Sequence, residues 1–352
     1  MKRFTQKKQI KKSIVAVLAI VLTLGLAACG GSSTAEVEPP LDGDGYDNPN
    51  GPAANARINI VTTIFPEYDW VRQIVGSNDN VEITMLLDNG VDLHSYQPTA
   101  DDIMKIASCD LFIYVGGESD EWVEDALAES TNPDMKVINL LETLGDKVQE
   151  EEVVEGMEAE EEEEEGEEGE EEEVEYDEHV WLSLKNAEIL VDEIANQLAA
   201  IDADSADTYK TNAGNYVSEL TALDEKYATA VSEGNTDTIL FGDRFPFRYL
   251  VDDYGLNYYA AFVGCSAETE ASFETITFLA GKVDELGLST VFTIENSDQK
   301  IAETIISNSN SKDAQILTMD SMQTTTSADV ENGVTYLGVM ESNLKALSEG
   351  LK

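Results

Sequence analysis

The chain is poor in basic residues, in histidine and in cysteine. Its 352 residues include 21 lysines and arginines against 71 aspartates and glutamates, which gives a formal net charge of −50. A field of that sign repels nucleic acid and anionic membrane surfaces and attracts cations. We therefore expect no nucleic-acid partner. The charge alone leaves open whether it serves cation binding or only solubility.

Cysteine occurs three times, as Cys29, Cys109 and Cys265, and no CxxC pair is present. A thiolate zinc site is therefore not expected. Cys109 and Cys265 each lie beside an apolar, strand-like run. Buried free thiols are expected there at least as readily as a disulfide, which an exported chain could form.

The N-terminal 28 residues have the composition of an export signal. Six lysines and arginines precede a short apolar run over residues 14–26, too short to span a bilayer comfortably. The stretch from Leu26 to Cys29 reads Leu-Ala-Ala-Cys and resembles the lipobox of bacterial lipoproteins, although an ordinary signal peptide is the alternative. We expect residues 1–28 to be a lipoprotein signal peptide, Cys29 to carry the lipid, and residues 29–55 to be a flexible tether.

Beyond the tether, strand-like and helix-like segments alternate. This pattern predicts βαβ units and parallel sheets. It occurs twice, over residues 56–185 and 237–352, and a helical stretch over 186–236 separates the two sets. The sequence thus predicts an α/β fold of two Rossmann-like βα lobes joined by a long rigid helix. Ligands of such sheets bind at the carboxyl ends of the strands, here in the cleft between the lobes.

An acidic segment interrupts the N-terminal lobe. Of the 29 residues from 150 to 178, 20 are aspartate or glutamate and none is basic. The segment has no apolar period, so a disordered surface loop is predicted. It either collects cations weakly or is an inert insertion. Because glutamate oxygens prefer Ca²⁺, Mg²⁺ or Mn²⁺, the segment gives no argument for zinc.

Two histidines, His94 and His179, are the candidate metal ligands. Each lies in a predicted strand-end loop of the N-terminal lobe. Imidazole is the commonest neutral nitrogen donor for Zn²⁺ and Mn²⁺, although a lone histidine is more often a surface or core residue.

Candidate oxygen donors lie in the C-terminal lobe. Asp320 follows the apolar run 316–319, and Glu295 ends another predicted strand in the same way. Glu268 lies in the loop after a third strand. A carboxylate in such a position can point into the cleft or act as a helix N-cap, and both interpretations remain open.

Several stretches together match a known family. They are residues 62–68, 94–99, 110–117, 179–187, 247–256, 268–272 and 317–320, which read TTIFPEY, HSYQPT, DLFIYVGG, HVWLSLKNA, FRYLVDDYGL, ETEAS and LTMD. In order and spacing they resemble the solute-binding proteins of zinc/manganese ABC importers, in which a rigid helix joins two lobes. The resemblance covers roughly residues 58–352.

This resemblance implies a function and a ligand set. The chain would capture a divalent metal ion, with Zn²⁺ preferred and Mn²⁺ the near rival, and deliver it to an ABC permease. It would be a monomer without catalytic activity, anchored at the extracytoplasmic face of the cell membrane. The family's ligand positions fall on His94, His179 and Asp320, with Glu268 as a further candidate.

One position departs from the family pattern. Arg244 occupies the place of a third ligand, and a guanidinium has no lone pair to donate. The expected consequence is a site completed by water, by Asp243 or by Glu268, with Arg244 paired to Glu295. A changed ligand specificity is the alternative.

Two other classes of protein are alternatives to a solute-binding protein. Two imidazoles and a carboxylate would suit an extracellular metallohydrolase, but the sequence contains no HExxH motif and no recognisable general base. A lipid-anchored adhesin with a structural metal is the other alternative, and it would require a large exposed apolar patch.

Overall fold

Two parallel four-stranded sheets carry the fold. The computed structural model describes residues 57–158, 175–266 and 270–352. The first sheet has the order β2-β1-β3-β4 and the second β6-β5-β7-β8, so the two lobes share one topology. The strands are β1 (Ile58–Thr62), β2 (Val81–Met85), β3 (Leu111–Tyr114), β4 (Lys136–Asn139), β5 (Thr238–Phe245), β6 (Asn257–Val263), β7 (Thr290–Thr293) and β8 (Gln315–Thr318). The predicted α/β class with two βα lobes is confirmed.

Helices connect and cover the strands. They are α1 (Phe65–Val75), α2 (Ala100–Ser108), α3 (Trp122–Ala128), α4 (Leu140–Leu144), α5 (Leu184–Ile201), α6 (Ala206–Ser232), α7 (Arg248–Tyr254), α8 (Phe273–Leu286), α9 (Lys300–Asn308), α10 (Ser327–Glu331) and α11 (Tyr336–Gly350). Short 3₁₀ turns occur at Leu93–Ser95, Glu118–Asp120, Gly145–Lys147 and Val180–Leu182.

The strands are apolar because helices cover both faces of each sheet. All four residues of β7 are buried, as are three of the four in β3. One hydrophobic core extends from the first sheet through α5 and α6 to the second sheet. A smaller core lies among the second sheet, α8 and α9.

The segment that joins the lobes consists of two helices, α5 and α6. The turn between Ile201 and Ala206 separates α5 from α6. The 27 residues of α6 give it a length of about 40 Å. Near its start, Asn212 Nδ2 donates to the Ile74 carbonyl at 2.9 Å, and near its end Tyr227 Oη donates to the Met340 carbonyl at 2.6 Å. Helix α6 therefore contacts both lobes.

Both ends of the acidic segment have defined partners. Glu150 pairs with Tyr176 as an antiparallel bridge, and Glu158 N donates to the Ala261 carbonyl at 2.9 Å beside β6. The prediction of disorder is therefore wrong for residues 150–158 and 175–178, because backbone pairing holds them. Residues 159–174 lie outside the described residues.

The predicted signal peptide, Cys29 and the tether also lie outside the described residues. Within the described ranges, no helix combines the length and the apolar character needed to cross a bilayer.

Candidate metal centre

The structure brings His94 and His179 together at the carboxyl ends of the strands. His94 lies in the 3₁₀ turn Leu93–Ser95 after β2, and His179 immediately precedes the 3₁₀ turn Val180–Leu182 before α5. The two Nε2 atoms are 3.2 Å apart, although 85 residues separate them in the chain. The two histidines of the chain thus form one pair in the folded protein.

A carboxylate orients one ring, and a hydroxyl orients the other. His179 Nδ1 lies 3.1 Å from Asp177 Oδ1, and because a carboxylate only accepts, the Nδ1–H donates. His94 Nδ1 lies 2.8 Å from Ser119 Oγ and 3.4 Å from Glu178 Oε2. With Nδ1 of each ring held in this way, both Nε2 atoms are directed at the same point. Metal-binding histidines are commonly held in this way by a carboxylate at the other ring nitrogen.

The loop after β3 reaches this site because Gly117 has no side chain. Its φ is +84°, a conformation that favours glycine, and a Cβ there would collide with the Glu178 carboxylate. The close approach lets Ser119 N donate to Glu178 Oε1 at 2.9 Å and places Ser119 Oγ against His94.

The protonation of the pair favours cation binding. Burial, followed by the neighbouring His179, lowers the pKa of His94 to about 3. Burial also opposes charge on His179, but the Asp177 carboxylate outweighs it, and the pKa of His179 is raised. His94 is therefore neutral near pH 7, and one proton at most lies between the two Nε2 atoms, where a divalent cation would replace it.

The spacing of the two nitrogens fits zinc. Ligand nitrogens lie 2.0–2.1 Å from Zn²⁺, so two of them at tetrahedral positions are about 3.4 Å apart. The observed separation of 3.2 Å matches that edge of a tetrahedron.

Gln323 is a site residue that the sequence analysis missed. Its side chain is 3 % exposed and interacts with His94. Its Nε2 donates to Ser321 Oγ at 3.1 Å, while Oε1 has no hydrogen-bond partner among the described residues. A buried amide oxygen with free lone pairs beside an imidazole is a candidate oxygen donor. A glutamine in a polar loop gives no distinct signal in a single sequence.

Cys265 is the third residue grouped with the histidines. Among the described residues, ligand atoms of His94, His179 and Cys265 lie within 4.8 Å of one another. Cys265 is a free thiol, and so is the buried Cys109 in the other lobe, which settles the open question of a disulfide between them. A sulfur atom was not expected beside the histidines, because the chain has no CxxC pair.

Asp320 does not join this group. Its Oδ1 accepts from Met322 N at 2.8 Å, so the carboxylate closes its own turn. Burial, followed by the charge of Glu295, raises the pKa of Asp320 to about 7. Glu268 lies outside the described residues.

Arg244 pairs with a different carboxylate from the one predicted. Its guanidinium lies 2.7 Å from Asp92 Oδ2, and Asp92 Oδ1 in turn accepts from His94 N at 3.1 Å. The predicted partner, Glu295, instead accepts from Ser321 N and Ser321 Oγ, each at 2.7 Å. The expected pairing was wrong because the loop carrying Ser321 and Gln323 occupies that carboxylate. Asp243 Oδ1 accepts from Arg244 N and does not reach the histidines as a ligand.

Two cavities adjoin the imidazole pair. The larger, of about 460 Å³, lies between the lobes and is lined by residues that include Asp92, His94, Asp243, Arg244 and Glu295. The smaller, of about 290 Å³, is lined by residues that include His94, Ser119, Glu151, Glu178 and Cys265. The centre is therefore buried but accessible from the cleft.

The fold has two βα lobes and a helical connection, and a pair of convergent imidazoles lies in the cleft. These features define a class of protein: two-lobed, with a candidate site for a metal ion. Residues 60–350 match the family described as zinc-uptake complex component A, periplasmic. The chain belongs to that family, as the sequence resemblance predicted.

Relatives of known name agree with this assignment. The zinc-binding lipoprotein AdcA of Streptococcus pneumoniae serotype 4 is 32% identical over 302 residues, covering 85% of this chain and 57% of AdcA. The chain therefore spans just over half the length of that relative. The high-affinity zinc uptake system protein ZnuA of Bacillus subtilis is 28% identical, and the alignment covers 93% of each chain.

A solved structure shares the fold. The Zn(II)-bound ZnuA-like domain of S. pneumoniae AdcA superposes with a TM-score of 0.65 at 29% identity, covering 84% of this chain and 99% of that domain.

Proposed function

We propose that the protein captures a divalent cation, Zn²⁺ in preference to Mn²⁺, and delivers it to an ABC permease for import. The observation that carries this proposal is the convergence of two buried Nε2 atoms at a separation of 3.2 Å. The family match over residues 60–350, the zinc-binding names of the relatives and the Zn(II)-bound neighbour support it.

The donor set favours zinc over manganese. Two imidazole nitrogens suit Zn²⁺, whose intrinsic affinity for such sites is higher in the Irving–Williams order. Mn²⁺ prefers more oxygen ligands and a higher coordination number. Here the nearby carboxylates of Asp177 and Glu178 approach Nδ1 atoms, and Asp320 Oδ1 accepts from Met322 N.

The proposal places the protein outside the cytoplasmic membrane. The lipobox-like sequence ending at Cys29 and the lipoprotein name of the AdcA relative support a lipid anchor. A monomer that docks on its permease is the simplest arrangement consistent with a cleft that both lobes line.

Transport fits the centre better than hydrolysis. A catalytic zinc site needs an open position for water and a general base nearby. The Asp177 carboxylate is engaged in orienting His179, and the sequence carries no HExxH motif.

Competition between metals tests the proposed cargo. The purified protein is stripped with a chelator and titrated with Zn²⁺ and Mn²⁺ against a chromophoric chelator of known affinity. We expect one tight Zn²⁺ site per chain and weaker Mn²⁺ binding, both unchanged when residues 159–174 are deleted. Tighter binding of Mn²⁺ would refute the preference, and the absence of any tight site would refute the proposed function.

A further inference from the structure

Cys265 follows the end of β6 and lies beside the imidazole pair. Its Sγ and ring nitrogens of His94 and His179 lie within 4.8 Å of one another. The thiol is not in a disulfide, and it lines the same cavity of about 290 Å³ as His94. It is therefore free to interact with a cation held by the histidines.

The backbone before Cys265 is built to approach His179. A Cβ on Gly264 would lie 2.9 Å from Cε1 and 3.1 Å from Nδ1 of His179, closer than real Cβ contacts normally allow. Glycine at this position lets the chain pass against the imidazole, and the next residue is the cysteine. Glu151 accepts hydrogen bonds from the Cys265 backbone N–H and from its thiol, so that the residue is held in place.

An independent observation indicates that this point receives a ligand. Gln323 is 3 % exposed and approaches His94 from the C-terminal lobe; its Oε1 faces the imidazole and forms no hydrogen bond of good geometry with the described residues. Its amide nitrogen is already committed to Ser321 Oγ. A buried acceptor left unpaired is costly unless something binds it, and a cation between the imidazoles would do so.

We propose that the Cys265 sulfur is a third protein ligand of the transported cation, a proposal that rests on the function proposed above. In a tetrahedral zinc site with Zn–N near 2.0–2.1 Å and Zn–S near 2.3 Å, sulfur and nitrogen are about 3.6 Å apart. The present ligand atoms lie within 4.8 Å of one another, so coordination would draw the sulfur and the nitrogens together. Thiolate is a soft ligand that favours Zn²⁺ over Mn²⁺, so Cys265 would also determine which metal is taken up.

Coordination requires the thiol to lose its proton. Burial, followed by the charges of Asp177 and Glu151, raises the pKa of the Cys265 thiol, so without a cation it stays protonated. A bound divalent ion reverses this, because a coordinating thiol is deprotonated outright. The S–H bond breaks, a sulfur–metal bond forms, and the Glu151 carboxylate accepts the proton. No electron is transferred.

Cobalt provides a direct test, because Co²⁺ bound by thiolate has a charge-transfer absorption band that Co²⁺ bound by nitrogen and oxygen alone lacks. The full chain carrying Cys29→Ser is purified under reducing conditions, stripped with a chelator and loaded with Co²⁺. The same measurement is made on two variants of it, Cys265→Ser and Cys109→Ala. The second is the matched control, since Cys109 is buried in the other lobe against Met135. Zn²⁺ and Mn²⁺ affinities are measured in parallel.

We expect the band in the parent and in Cys109→Ala and its loss in Cys265→Ser. Zn²⁺ affinity should fall by about tenfold or more in Cys265→Ser while Mn²⁺ affinity changes much less. If the parent binds Zn²⁺ tightly but shows no band, or if Cys265→Ser keeps the band, Cys265 is not a ligand and the transport function stands. If the parent binds neither Zn²⁺ nor Co²⁺, both proposals fail. Circular dichroism of each variant in chelator shows whether the fold is retained.

Discussion

At the scale of single residues, the carboxylates around the imidazole pair differ in role despite their similar chemistry. Asp177 accepts from both the backbone N and Nδ1 of His179, at 2.9 and 3.1 Å. Asp320 instead accepts from Met322 N and closes a turn. The two carboxylates differ in their position relative to the His179 ring, and only the fold establishes that position.

Asp177→Asn tests this difference. An amide cannot fix the His179 tautomer as a carboxylate does, so we expect Zn²⁺ affinity to fall by about 10–100-fold with the fold retained. Asp320→Asn is the matched control and should change affinity by less than about threefold, well below that range. Competition titration of both variants checks the prediction; a larger loss in Asp320→Asn would restore Asp320 as a ligand.

Asp120 is a buried carboxyl beneath the site. Its Oδ2 accepts from Gly116 N at 2.9 Å, and Oδ1 has no hydrogen-bond partner in the described part of the chain. Burial raises its pKa from 3.8 to about 7, and the charge of Glu178 adds to the effect. Because the folded-state pKa is raised, Asp120 costs no stability below about pH 4. It becomes destabilising as the pH rises to about 7, and the cost is constant above that.

Asp120→Asn should therefore stabilise the metal-free protein in a pH-dependent way. Asparagine does not titrate, so the difference in unfolding free energy between the variant and the parent should increase from about pH 4 to pH 7 and stay constant above that. One pKa unit corresponds to about 1.4 kcal/mol, so the gap can reach a few kcal/mol. Urea unfolding in chelator at several pH values measures it, and a gap that does not change with pH would contradict the account.

At the scale of elements, α6 is the connection that both lobes share. Tyr227 and Tyr216 are both buried on this helix, but they differ at the hydroxyl. Tyr227 Oη donates to the Met340 carbonyl on α11, whereas Tyr216 Oη has no partner among the described residues. The pair provides an internal comparison of one hydrogen bond between α6 and the C-terminal lobe.

Tyr227→Phe should destabilise the protein by about 0.5–1.5 kcal/mol, because it removes a buried hydrogen bond while the Met340 carbonyl keeps its place in helix α11. Tyr216→Phe removes a hydroxyl that is already unpaired and should be neutral or slightly stabilising. Chemical denaturation of the two variants side by side is the measurement. Equal losses would mean that the bond to Met340 contributes nothing to holding the lobes.

At the scale of the whole molecule, periodicity was enough to predict the two parallel sheets and their separation by helices. Apolar runs such as residues 111–115 have few alternatives to a buried strand. Periodicity could not show how the linking helices pack on the lobes, because that packing depends on contacts distant in the chain, such as the one between Asn212 and Ile74. The ends of the acidic segment were missed because pairing with Tyr176 and Ala261 overrides an unfavourable composition.

The site was predictable only in part. The histidines could be found because the chain has just two, and both fall in stretches that match the family. Gln323 and Cys265 could not, since their role depends on loops from β6 and β8 meeting the first lobe. The partner of Arg244 was missed for the same reason, because Asp92 lies 152 residues away in the chain.

The most direct test of the central claim is the Zn²⁺ affinity of His94→Ala and His179→Ala beside the parent. If the convergent Nε2 atoms form the metal centre, each variant should lose more than about 100-fold in affinity, beyond the loss typical of a residue that only orients a ligand. Both variants should keep the parent's circular dichroism in chelator. A variant that binds Zn²⁺ as tightly as the parent would place the metal elsewhere and contradict the account.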